Sequence, residues 1–145
     1  MMKMGTRELG LEEIIEAIGD EVGEEYYWFI VDIDACGNLG VALWKDIDSS
    51  LKEYGYYEIE WNFFKKITPK IRGVIEFFFC ACRSKDEFIE KADEIKKNDK
   101  AWTEYSFDLE FEICDSQIWE ISGRDTALVE RLNKNFAPFS DTQLL

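Results

Sequence analysis

The most apolar run in the chain, Gly73 to Cys82, reads Gly-Val-Ile-Glu-Phe-Phe-Phe-Cys-Ala-Cys. Its aromatic and β-branched content predicts a strand covered on both faces, near the middle of a sheet. Glu76 is its single charge, and an unpaired carboxylate is costly to bury. The strand should therefore let Glu76 reach an edge, a base or a functional site.

Before this run, Leu11, Ile14, Ile15 and Ile18 fall at helical spacing with Glu12, Glu13 and Glu16 between them. This predicts an amphipathic helix that ends at Gly19, followed by a charged turn over Asp20 to Glu25. Tyr26 to Ala35 reads as a strand, with Tyr27, Phe29, Val31, Ile33 and Ala35 on one face and Trp28, Ile30, Asp32 and Asp34 on the other. Cys36-Gly37-Asn38 has turn chemistry, and Leu39 to Trp44 is expected to return as the second arm of a hairpin. Asp48-Ser49-Ser50 looks like the cap of a short helical turn through Leu51 and Tyr54, closed by Gly55. Tyr56 to Trp61 alternates as a strand, and Phe63 to Arg72, interrupted by Pro69, reads as a short helix and a loop.

After the apolar run, Ser84-Lys85-Asp86-Glu87 is a capping-box pattern, with Phe88, Ile89, Ala92 and Ile95 as the buried face of a helix and Lys96 and Lys97 at its cation-favouring end. From Trp102 to Cys114, Tyr105, Phe107, Leu109, Phe111 and Ile113 alternate with Glu104, Ser106, Asp108, Glu110 and Glu112. That alternation predicts a strand with one core face and one acidic stripe. Asp115-Ser116 should turn into Gln117 to Ser122, and Leu128, Leu132 and Phe136 mark a last helix begun near Asp125 and stopped before Pro138. The sum is an α+β fold: a single curved, mostly antiparallel sheet of five or six strands with three main helices. Residues 1–145 form one domain by size, with residues 1–5 and 138–145 as loose termini.

Composition changes the picture through charge. At 46% hydrophobic and 15% aromatic content the chain should fold despite a formal charge of -14. Residues 8–44 hold ten acids and no Lys or Arg, 101–122 hold six acids and no base, and 45–100 carry twelve of each sign. Two segments thus dominate the imbalance. A field of this sign repels nucleic acid and anionic membrane and attracts basic surfaces. Cys36, Cys80, Cys82 and Cys114 lack the spacing of a secreted disulfide framework. With no signal peptide or membrane-length apolar run, the sequence predicts a cytoplasmic protein with reduced thiols.

Candidate chemistry is sparse. The chain has no histidine, which removes the commonest general base and metal ligand together. Asp32 to Asn38 resembles the opening of an EF-hand calcium loop, yet Cys36 replaces an oxygen ligand and Leu43 stands where the bidentate Glu belongs. A strand-end turn fits that segment better. Cys80 and Cys82, two apart in a strand, share a side without forming the Cys-x-x-Cys pattern of zinc or redox sites. Lys65, Lys66, Lys70 and Arg72 read as a solvated loop balancing nearby acids. No metal, cofactor or catalytic set is indicated, and the chain reads as non-enzymatic. The acidic stripe of Glu104, Asp108, Glu110 and Glu112 is the strongest functional feature, because selection for stability alone would readily intersperse Lys.

A small acidic domain with no catalytic set, segregated acids and many aromatic residues resembles, at the level of type, the immunity proteins that neutralise polymorphic or contact-dependent toxins of bacteria. The resemblance implies a cognate inhibitor, often of a nuclease with a basic cleft. It implies a docking surface drawn from Glu104, Asp108, Glu110 and Glu112, with Asp32, Asp34 and the Asp20 to Glu25 turn as a second surface and Trp28, Trp44 and Trp119 as aromatic anchors. The expected partner is a basic protein, not nucleic acid or membrane, and monomer and dimer both remain open. The alternative is a small-molecule or peptide-binding module with an aromatic-lined pocket, and a carboxylate enzyme comes third.

Overall fold

The computed structural model describes residues 4–6, 10–114, 118–136 and 143–144. Five strands form one antiparallel sheet in the order β3 (Tyr57–Ile59), β2 (Tyr27–Gly37), β4 (Ile71–Cys82), β5 (Leu109–Cys114), β6 (Ile118–Ser122). Two short segments, β1 (Met4–Thr6) and β7 (Gln143–Leu144), extend the sheet beyond β6, so that Met4, Gly5, Gln143 and Leu144 of the stretches expected as loose termini are paired in it. Residues 1–3, 138–142 and 145 of those stretches, and the expected turn at Asp115-Ser116, lie outside the described residues.

The apolar run lies in the middle strand of the five, and both its faces are covered from Phe77 to Cys82, whereas Gly73 and Ile75 before them are exposed. Phe77, Phe79 and Ala81 point into a core with Trp28, Ile30, Phe111 and Ile121, roofed by α1 (Leu11–Glu25), α3 (Trp61–Ile67) and α5 (Thr126–Phe136). Phe78, Cys80 and Cys82 point the other way, into a smaller core with Phe29, Val31 and Phe107 beneath α4 (Lys85–Asn98). Cys80 and Cys82 are therefore packing residues, and burial pushes the Cys80 thiol well up and that of Cys82 to about 11. Cys36, Cys80 and Cys82 are free thiols.

Among the described residues five α-helices are present instead of three. The largest correction is α2 (Val41–Tyr54), which replaces both the expected hairpin arm over Leu39 to Trp44 and the short turn after it. Leu43, Ile47 and Leu51 recur every four residues, a helical period that overrides the local β-branched and aromatic composition. Gly40 at φ 91° makes the turn into the helix, and Gly55 at φ 84° closes it, its N–H donating to the Leu51 carbonyl. Ser84 caps α4 as expected by accepting from the Glu87 N–H.

In α1, Gly19 breaks the helical path as anticipated, at φ 77° and ψ 159°, but Asp20 to Glu25 continues as a second helical segment instead of a turn. This places Gly23 against Trp61, where an added Cβ would fall 2.0 Å from the indole ring. Gly23→Ala must therefore push the helix off the ring. The expected loss is about 1–3 kcal/mol of stability, the usual cost of overpacking, read as a lower midpoint in urea denaturation, and an unchanged midpoint would show that the contact yields freely.

Candidate functional site

The two faces of β2 are not those that simple alternation predicts. A register shift between Ile30 and Asp32 adds one residue to β2 relative to β4, and a bulge of this kind reverses the side on which later residues emerge. Trp28 and Ile30 consequently share their core with Ile33 and Ala35. Asp32 and Asp34 follow Phe29 and Val31 to the opposite face.

That face carries an acidic field in cross-strand register. Asp32 lies opposite Phe78, Phe78 opposite Glu112, and Glu112 opposite Glu120. One step along, Asp34 lies opposite Glu76. Asp32 and Asp34 are exposed, while Glu76, Glu112 and Glu120 are half-buried. Arg72 is the one base in strands β2 to β6, and it sits farther along, opposite Cys36. The core under α4 ends at Val31 and Phe78, and the carboxylates begin where it stops. Desolvation against the sheet, with the neighbouring Asp34 charge, raises the Asp32 pKa above the usual carboxylate value. Glu76, the odd charge of the apolar run, thus joins a cluster instead of pairing with a base among the described residues.

The predicted stripe on β5 divides. The strand begins only at Leu109, so Glu104 and Asp108 are not on it. Glu104 lies in a 3-10 turn (Trp102–Glu104) and accepts from the Ala101 N–H. Asp108 is tied down by the Arg83 backbone N–H at 2.9 Å and by Arg124 at 3.1 Å. Glu110 is buried, 8% exposed, and accepts from the Phe107 N–H. Of the four, Glu112 alone belongs to the acidic field. The alternation fails because Phe107 turns to pack at a tilt against Phe88 and Trp102 under α4, on the side away from Leu109.

Asp108 is instead part of an ionic seam. Arg124 bridges Asp108 to Glu87, at 2.6 Å from the latter, and Lys91 adds a second contact to Glu87 at 3.0 Å. The Arg124 and Lys91 bonds hold the Glu87 carboxyl below its ordinary pKa. Arg83 reaches the Tyr26 hydroxyl and Asp125, whose other oxygen caps α5 at the Leu128 N–H. These groups join α4, α5 and the start of β5.

Two proposed anchors are core residues. Trp28 is 1% and Trp119 2% exposed, so neither can meet a partner. Both alternate onto the face roofed by α1, α3 and α5, and hydrophobic burial overrides any anchoring role. Trp44, on α2, is half-buried and keeps exposed surface. Asp20, in the second candidate surface, pairs with Lys65 at 2.6 Å. The sequence reading missed Glu120, which becomes visible only once β6 is set in register against Glu112.

The raised pKa of Asp32 has a definite sign. A carboxyl that holds its proton more tightly when folded costs nothing below its unfolded value, near 3.9. It costs most once the pH exceeds its folded value. Asp32→Asn should therefore raise the urea midpoint at pH 7 and leave it unchanged at pH 3, and a lower midpoint at pH 7 would contradict this account of the face. In comparisons with known proteins, no family model matches the chain, and no curated protein or solved structure matches it significantly.

Proposed function

We propose that this chain is a non-enzymatic acidic binding protein that neutralises a cationic protein partner, in the manner of an immunity protein blocking a toxin. The observation that carries the reading is the registered field of Asp32, Asp34, Glu76, Glu112 and Glu120 on one sheet face. Like charges held side by side oppose the fold. They gain a favourable role when a basic surface lands on them, both in steering encounter and in selecting the partner. Asp32, Asp34 and Glu76 make no ion pair with any described residue. Val41, 71% exposed, and Trp44 supply apolar surface at the start of α2, close along the chain to Asp34.

The earlier choice of docking residues narrows accordingly. Asp108 and Glu110 serve internal bonds, and Glu104 is spent on its own turn. The docking set becomes Asp32, Asp34 and Glu112, joined by Glu76 and Glu120, with Trp44 as the remaining anchor.

Capture from the native cell tests the proposal. The wild-type chain should retain one basic protein at low salt and release it as ionic strength rises. Asp34→Lys combined with Glu76→Lys should weaken that capture by about tenfold or more and should no longer restore growth to cells expressing the captured protein. Undiminished capture and rescue by the double variant would remove the acidic face from the mechanism.

A further inference from the structure

The end of α1 is set apart from the rest of the helix. Gly19, at φ 77° and ψ 159°, breaks the helical path, and Tyr26, extended at φ -114° and ψ 158°, ends it. Asp20 to Glu25 is therefore a short helical segment with a backbone break on each side. A helix of fewer than about 12 residues is marginal in water without tertiary contacts. This one also carries Asp20, Glu21, Glu24 and Glu25 and no Lys or Arg. Carboxylates in a last turn face the negative end of the helix dipole, and neighbouring ones repel each other.

Few contacts hold the segment down. Val22 and Gly23 are its buried residues. Asp20 accepts from the Trp61 indole N–H at 2.9 Å and meets the Lys65 ammonium at 2.6 Å, while the Gly23 carbonyl accepts from the Trp28 indole N–H at 2.8 Å. Glu25 lies 3.9 Å from Arg83 with both side chains largely exposed, and such a pair is weak in water. The first part of α1 is anchored differently, with Leu11, Ile14, Ile15 and Ile18 all in the larger core. The space beside Gly19 is open, so nothing obstructs movement at the break.

We propose that Asp20 to Glu25 is a strap that opens apart from the rest of α1, hinged at Gly19 and latched by Asp20, and that its opening bares the Trp61 ring. In the closed structure that ring is 3% exposed and lies directly against Gly23. An opening confined to so few buried contacts costs less than unfolding the domain. The strap shares no residue with the acidic sheet face, so it stands or falls separately from the docking proposal. Both indole N–H groups end on the strap and lose their acceptors when it lifts. The backbone amides of Ile14, Ile15 and Ile18 stay within the turns before the break.

Hydrogen exchange of the full chain at pH 7, followed proton by proton in NMR spectra, tests the strap. The Trp28 and Trp61 indole protons should show protection about tenfold or more below that of the Ile14, Ile15 and Ile18 amides. Asp20→Ala should lower protection at the Trp28 indole, whose acceptor it does not remove, by about fivefold or more and leave the three isoleucine amides unchanged. Glu24→Lys, which sets a cation at the end of the helix, should raise Trp28 protection by about threefold. Indole protons as well protected as the isoleucine amides, a Trp28 proton indifferent to Asp20→Ala, or protection lost evenly along α1 would overturn the proposal.

Discussion

The fold depends on one aromatic contact, the Trp28 ring against that of Trp61 with centres 5.1 Å apart. Trp28 comes from β2 and Trp61 opens α3, and Gly23 of α1 closes over Trp61 with no room for a side chain. Trp28 also meets Tyr26, Phe64, Phe79 and Phe111 within 6.4 Å. Burying an aromatic side chain of about 200 Å² contributes roughly 5 kcal/mol at ~25 cal/mol/Å². The Asp20 to Lys65 pair at the rim of this node is exposed and screened by water, so it orients the elements more than it holds them. The indole N–H groups are satisfied at the Gly23 carbonyl and at Asp20, so the buried rings leave no donor without a partner.

Around that node the charges sort by role. Three bases beside the sheet, Arg83, Lys91 and Arg124, are drawn into the seam between α4, β5 and α5, where they meet Glu87, Asp108 and Asp125; Arg72, on β4 itself, is not among them. With those bases occupied there, Asp32, Asp34 and Glu76 of β2 and β4 make no ion pair with any described residue. The formal charge of -14 is therefore not spread evenly over the surface. It reflects a division between carboxylates that hold helices in place and carboxylates that do not.

Much of this was legible in the sequence because local and tertiary preferences agreed. The apolar run could only be a central strand, Gly19 and Gly55 had to interrupt helices, and Ser84 had to begin one. The misread stretches are those where they disagreed. Val41 to Trp44 has strand-like composition, yet packing of Leu43 and Ile47 makes it helical. Phe107 satisfies strand alternation on paper, but it is buried on the other face against the tilted ring of Phe88. Trp28 and Trp119 cannot be sorted into anchor or core without knowing which face of the sheet receives three helices. The pairing of Asp34 with Glu76 and of Glu112 with Glu120 depends on strand register, which no single strand encodes.

The extra residue that β2 inserts between Ile30 and Asp32 has a consequence for how this chain can vary. Without it, the second half of the strand would turn over, sending two aspartates into the helix-roofed interior and bringing Ile33 and Ala35 out to water. Gain or loss of one residue there would be felt as an exchange of inside for outside, whereas the same change in the loop after β2 would merely alter its length. The electrical character of the sheet is thus fixed by parity, a property that substitutions along the strand leave intact and that only a change in residue count can undo.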